Sequence, residues 1–154
     1  MRFLGTTVSK TDQKGRVFLP SVFRKELQAS GEEVLVMRKD VHRQCLVLYP
    51  ESVWNAQMDE MFQKTNLWDA TEKEVLSMFM SEVELMALDG SGRILIPRRY
   101  IDMAKINQEV RFIGMNKTIE IWSVEVWAAE HEQKAALSQE EFAAKLKLIM
   151  GRTL

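Results

Sequence analysis

Asp12-Gln13-Lys14-Gly15-Arg16-Val17-Phe18-Leu19-Pro20-Ser21-Val22-Phe23 is written a second time, in other letters, as Asp89-Gly90-Ser91-Gly92-Arg93-Ile94-Leu95-Ile96-Pro97-Arg98-Arg99-Tyr100. Both follow Asp-x-x-Gly-Arg with three apolar residues, a proline, two further residues and an aromatic ring. Each copy has the chemistry of a tight turn: an Asp carboxylate can bond its own backbone two residues on, and Gly can take positive φ. The apolar triplet then reads as a returning strand. It stops at proline, which has no N–H for a ladder but suits a helix start.

The likeness continues outward from this stretch. Leu46-Val47-Leu48-Tyr49 with Val53-Trp54 matches Ile119-Glu120-Ile121-Trp122 with Val126-Trp127, while the offset falls from 77 residues at the arginines to 73 at the tryptophans. A turn, an arginine and a helix start repeated in register indicate one supersecondary unit used twice. The first copy predicts strands at 6–11, 16–19, 34–38 and 45–49 with a helix over 20–28. The second predicts strands at 83–88, 93–96, 110–115 and 118–122 with a helix from Pro97. Other helices are expected from Pro50 to Lys64, after a capping box at Thr71-Glu72-Lys73-Glu74, from Val124 to Leu137 capped by Ser123, and from a second capping box at Ser138 to a C′ glycine at Gly151.

The expected fold is therefore α+β, with two pseudo-symmetric β-β-α-β-β repeats. The first spans 6–53 and the second 82–126, with linker helices at 54–81 and C-terminal helices at 127–154. Neither repeat is long enough to bury a core alone, so the strands should interlock in one small barrel. Val17, Leu19, Leu46, Leu48, Ile94, Ile96, Ile119 and Ile121 should supply its interior.

Composition narrows the function classes. The 154 residues are 46% hydrophobic and 28% charged, as in an ordinary globular protein. Apolar runs fall far short of the ~20 residues of a membrane helix, and the start of the chain shows no signal-peptide core. One cysteine, Cys45, allows no intrachain disulfide and points to a reducing cytoplasm. Net charge is −1, but residues 1–50 carry nine Lys/Arg against five Asp/Glu and the rest twelve against seventeen. Positive potential thus gathers around the first motif, where it can draw an anionic partner.

Arg16 and Arg93 follow a turn glycine, where a guanidinium can reach solvent with a fork of donors suited to phosphate or a guanine edge. Asp12 and Asp89 can close the turn or hold that arginine in one rotamer; a purely structural turn-closing ion pair is the competing reading. Asp89-Gly90-Ser91-Gly92 lacks the downstream Gly-Lys-Ser/Thr of a phosphate loop. His42 and Cys45 have no second pair to complete a metal site. No nucleophile–base constellation is present, so no enzyme, metal or cofactor is expected. The residues alone leave two readings open: a DNA-binding regulator, or an oligomeric module whose arginines engage an acidic protein.

The two motif copies, the Phe23-Arg24 pair, Leu48-Tyr49-Pro50 and Ile119-Glu120-Ile121-Trp122 closely resemble the MraZ family of bacterial transcriptional regulators, from Phe3-Leu4-Gly5 to about Trp127. The resemblance implies SpoVT-AbrB-like repeats in a swapped-hairpin barrel, assembled into a ring-like homo-oligomer at the nucleoid. It implies a double-stranded DNA target, short direct repeats in the promoter of the division and cell-wall gene cluster, with repression as the outcome and no membrane or small-molecule partner. Carried onto this chain, Arg16 and Arg93 are the paired DNA contacts. Lys14, Arg24, Arg98 and Arg99 support them, and Asp12, Gly15, Asp89 and Gly92 shape the turns. Two positions depart: Ile101 stands where the first copy has Arg24, and the usually arginine-rich helix before the second copy reads Lys73-Glu74-Val75-Leu76-Ser77.

Overall fold

In the computed structural model, which describes residues 1–133 and 136–153, the strands of the two repeats pair with each other more than with themselves. The strands are β1 Thr6–Lys10, β2 Arg16–Phe18, β3 Leu35–Lys39, β4 Leu46–Pro50, β5 Glu84–Met86, β6 Arg93–Leu95, β7 Glu109–Met115 and β8 Thr118–Ser123. Six form one antiparallel sheet in the order β1-β7-β8-β4-β3-β5, and β2 pairs with β6 as a separate ribbon. Exchanging each strand for its counterpart in the other repeat turns this order into its own reverse. The sheet is thus pseudo-twofold, with the axis between β4 and β8.

Register places that axis to the residue. Val47 faces Glu120, while Leu46 faces Ile121 and Leu48 faces Ile119. In the ribbon Val17 faces Ile94, Arg16 faces Leu95 and Phe18 faces Arg93. Each of these pairings maps onto itself or its neighbour when the copies are exchanged. The expected hairpin return of β2 onto β1 is replaced by this exchange: β1 runs beside β7 and β2 beside β6. Each motif turn closes on its own hydrogen bonds, which frees the strands on either side to take partners from the other copy.

Strand alternation fills the space between sheet and ribbon. All eight strand positions expected inside are at most 1% exposed, and they join Phe3, Phe23, Leu27, Tyr100 and Phe112 in one cluster. Phe3 and Phe23 meet edge to face at 5.7 Å. A closed barrel does not form among the described residues: β1 and β5 end the sheet, β5 is only three residues long, and the ribbon covers the core instead of bridging the edges.

Helices α1 Ser21–Ala29 and α4 Arg98–Met103 each begin just after a proline, which sits at the cap with extended ψ rather than inside the first turn. α2 is Glu51–Lys64 and α3 Ala70–Ser81. The cap of α3 is Asp69, whose carboxylate accepts the Glu72 N–H at 3.0 Å; Thr71 already lies within the helix, so the expected box does not form. On the outer face of the sheet Trp54 packs edge to face on Tyr49 and stacks on Phe79, over which the buried Arg38 guanidinium lies at 3.8 Å.

The described chain divides into two compact units, Met1–Val124 and Glu125–Leu154. α5 Val124–Trp127, which starts at the last residue of the first unit, gives way after one turn to a π-helical stretch, Ala128–Gln133, instead of running to Leu137; residues 134 and 135 of the expected helix lie outside the described residues. Trp127 and His131 stack at 3.7 Å, four residues apart on that widened turn. α6 Gln139–Met150 carries the full capping box expected from Ser138 and Glu141. Gly151 is its C-cap at φ −86°, right-handed and not the left-handed C′ expected.

Candidate nucleic-acid interface

Each motif turn is built around one aspartate. Asp12 Oδ1 accepts the Lys14 and Arg16 backbone N–H groups at 2.9 and 2.8 Å, and Oδ2 accepts Arg16 Nε at 2.7 Å. Asp89 does the same with Ser91 and Arg93, at 2.9, 2.9 and 2.8 Å. The Asp12 and Asp89 N–H groups return to the Arg16 and Arg93 carbonyls at 2.9 and 2.8 Å, and Gly15 and Gly92 stand at φ +87° and +86°. The ladder extends one residue past each strand, with Ile96 N–H on the Gly15 carbonyl and Leu19 N–H on the Gly92 carbonyl.

These bonds decide what each arginine offers. The carboxylate takes Nε alone, so the aspartate fixes the guanidinium while both terminal amino groups stay free of it. The turn-closing and recognition readings of the Asp–Arg pair therefore merge: the ion pair is the holder, and the fork beyond it is the tool. The Arg16 backbone N–H, followed by its side chain and the Lys14 N–H, holds the Asp12 carboxyl below the usual carboxylate range. The Arg93 and Ser91 N–H groups lead the same effect at Asp89. Both anions thus persist to lower pH than free aspartate.

The ribbon brings the two arginines onto one face. Val17 and Ile94 point into the core, so period-two alternation turns Arg16, Phe18, Arg93 and Leu95 outward. Arg16 faces Leu95 across the strands and Arg93 faces Phe18, whose ring centroid lies 5.8 Å from the guanidinium carbon. Lys14 is exposed at the tip of the first turn.

The helices cross over. Arg24, in the first repeat, lies on the second turn: its Nη1 donates to the Ser91 carbonyl at 3.4 Å, and a Cβ placed on Gly92 would collide with that nitrogen. Ile101, in the second repeat, lies on the first turn, where a Cβ on Gly15 would stand 2.9 Å from its Cδ1. Two clefts result. One, of about 370 Å³, lies between α1 and the second turn and includes Arg24, Lys25 and Gly92. The other, of about 350 Å³, lies between α4 and the first turn and includes Lys10, Arg98, Ile101 and Asp102.

Of the residues carried over from the resemblance, Arg16, Arg93, Lys14 and Arg24 gather on the ribbon and its turns. Arg98 sits at the cleft between α4 and the first turn, highly exposed, with Nε 3.4 Å from Asp102. Arg99 does not join them. Its Nη2 pairs with Glu84 of β5 at 2.8 Å, and the guanidinium rests over the Tyr100 ring. Phe18 and Leu95 went unnoticed in the sequence, although alternation from the buried Val17 and Ile94 predicts that they share the arginines' face. The crossing of Arg24 onto the other repeat's turn had no local signal at all. Cys45 is buried just before β4, its thiol pushed up to about 12 by desolvation, and His42 lies on an exposed bend.

Comparison with known proteins agrees with the duplication. A family model described as "MraZ protein, putative antitoxin-like" matches twice, over residues 2–77 and 78–149. A protein of Phocaeicola vulgatus named transcriptional regulator MraZ is 53% identical over 151 residues, which is 98% of this chain and 95% of the relative. A protein of the same name from Bacteroides thetaiotaomicron is 47% identical over 98% of this chain and 94% of its own length. A more distant one from Marinobacter nauticus is 33% identical over 87% and 89%. Matched in both halves by one family model, this chain belongs to the MraZ family.

Proposed function

We propose that the chain is a transcriptional regulator that binds short direct repeats of double-stranded DNA upstream of a division and cell-wall gene cluster, and represses it. The observation that carries this reading is the β2–β6 ribbon, on which two arginines, each held at Nε by an aspartate, face outward with free donor forks. A two-stranded ribbon fits the width of a major groove, and an arginine fork matches the paired acceptors of guanine. Membership in a family whose relatives carry the name transcriptional regulator supports the same reading. Arg16 and Arg93 are the base contacts. Lys14, Arg24 and Arg98 serve phosphates, and Arg99 acts only indirectly, through its place beside Glu84. Asp12, Gly15, Asp89 and Gly92 hold the turns. We read the strand exchange as the SpoVT-AbrB-like swapped-hairpin plan with the barrel left open, its repeats at 6–53 and 82–126.

One chain offers only two motif arginines and a net charge of −1, so useful affinity calls for several subunits on repeated sites. The surface of α2, α3 and the turn between them suits such assembly: Leu67, Val75 and Met78 are about half exposed and Trp68 is 98% exposed. No helix among the described residues is long and apolar enough to cross a membrane, and a regulator of this kind works in the cytoplasm at the nucleoid. The test is titration of the purified protein against its own upstream DNA in excess unrelated duplex, with light scattering alongside. The reading expects retention of the upstream DNA by an assembly larger than a dimer. Displacement by any duplex, or a strict monomer at DNA-binding concentrations, would overturn it.

A further inference from the structure

The outward face of the ribbon holds two apolar residues that the fold does not use. Phe18 and Leu95 are each 53% exposed and lie between the motif arginines. Cross-strand register makes the face a two-by-two array: Arg16 beside Leu95 at one level, Phe18 beside Arg93 at the next. Neighbours across an antiparallel pair stand about 5 Å apart, and residues two along a strand about 6.6 Å. The latter is about two base-pair rises of ~3.4 Å. Cations lie on one diagonal of the array and apolar groups on the other.

We propose that Phe18 and Leu95 read the 5-methyl groups of thymines lying beside the guanines that Arg93 and Arg16 contact. This rests on the DNA reading above and adds to it a second, apolar element of sequence discrimination. The thymine methyl is the apolar group that a base edge shows in the major groove. An apolar side chain there gains by covering that methyl and loses by covering the cytosine amino group, whose hydrogen bond it cannot replace. A surface covering this face must accept two guanidinium forks and shield two apolar groups within a few ångströms. Guanine acceptors next to thymine methyls, between two phosphate rims, meet both demands. The levels are not equal, since the Phe18 ring also lies against the Arg93 guanidinium and steadies it, whereas Leu95 offers Arg16 no ring face.

The experiment uses the full chain and a duplex that the wild type selects from a random-sequence pool. Each thymidine of that duplex is replaced singly by deoxyuridine, which removes only the methyl. At thymines beside guanine the wild type should lose about fourfold in affinity, the worth of one buried carbon. Phe18→Ser should bind deoxyuridine and thymidine equally at one set of these positions and Leu95→Ser at the other, with circular dichroism and oligomer size unchanged. Should deoxyuridine be tolerated at every position, or both variants keep the wild-type ratio, the inference falls while sequence-selective binding stands. A wild type that selects no duplex would remove the regulator reading as well.

Discussion

The two motif turns share a backbone and differ in what lies on them. In both, one aspartate accepts two N–H groups and an arginine Nε, with glycine at almost the same positive φ. Over the second turn lies Arg24, a cation from the first repeat; over the first lies Ile101, an aliphatic chain from the second. The hydrogen bonds that make the turn are internal to it, so they survive any change in the helix above. That helix face is left to set the charge beside each arginine. Duplication has kept the tool and let the two handles diverge, one ringed by Arg24 and Lys25 and the other by Arg98 with its partner Asp102.

The strongest way to break the comparison is to remove the shared part. Arg16→Ala and Arg93→Ala should each reduce binding to the selected site at least tenfold, within the roughly 1–3 kcal/mol of a bidentate base contact, and the double variant should abolish it. Circular dichroism and oligomer size should not move, because neither side chain enters the core. Equal, sequence-independent losses would assign both arginines to phosphates. Full binding by the folded double variant would leave them as turn-closing residues only.

The glycines should separate the turns by stability. A Cβ on Gly15 would meet the Ile96 carbonyl oxygen at 2.7 Å, a backbone atom of a residue whose own N–H is bonded to the Gly15 carbonyl. On Gly92 the nearest atoms belong to the Arg24 side chain, which can swing away. Both alanines are strained at positive φ by about 1–2 kcal/mol. Gly15→Ala should therefore cost roughly 3 kcal/mol in denaturant unfolding and Gly92→Ala nearer 1.5 kcal/mol, the latter losing DNA affinity through displaced Arg24. Equal destabilisation would show that the clash at Ile96 is relieved.

Those glycines also mark how far sequence reading reached. Asp-x-x-Gly-Arg writes its own turn in local hydrogen bonds, so the turns, the strands that follow them and four of the eight buried positions were legible from one stretch and its copy, and the other four from the likeness that continues downstream. Exchange of strands between copies was legible only as a need to share a core, because pairing partners 77 residues apart leave no local trace. The π-helical turn after Trp127, the Asp69 cap and the Arg24 crossing depend on packing or on competing local bonds. Phe18 and Leu95 were legible in principle. The expected interior already left them out, but only the register of the ribbon shows that they share a face with both arginines.

Acid should weaken both turns together. The Asp12 and Asp89 carboxyls lie below their ordinary value of 3.8 in the folded chain. For a depressed carboxylate the stabilisation is fully present above the unfolded value and is lost as pH falls through the folded one. Stability should hold at pH 5 and fall only in the acid limb below the ordinary value. Asp12→Asn and Asp89→Asn should each flatten that limb in a pH series of thermal unfolding. An unchanged limb in the double variant would place the acid-sensitive groups elsewhere.

The smallest expected effect tests the difference itself. Arg24 touches the second turn through one long hydrogen bond to the Ser91 carbonyl, with most of its charge still directed at the cleft. If that charge meets a phosphate, Arg24→Ala should weaken all DNA sequences about equally and lower the slope of log affinity against log salt by about one unit. Ile101→Ala should leave the slope alone, since it removes packing over Gly15 and no charge. Ile101→Arg then asks whether the first turn can accept what the second already has. Its cleft is already lined by Lys10 and Arg98, so a cation at 101 would join charges that face the same partner. The slope should rise by about one unit with no change in which sequence is preferred. A changed preference would mean that position 101 reaches base edges, and the two turns would differ in what they read as well as in how tightly they hold. An unchanged slope for Arg24→Ala would make the crossing contact a packing feature, and the two turns would then be equivalent in binding despite their different neighbours.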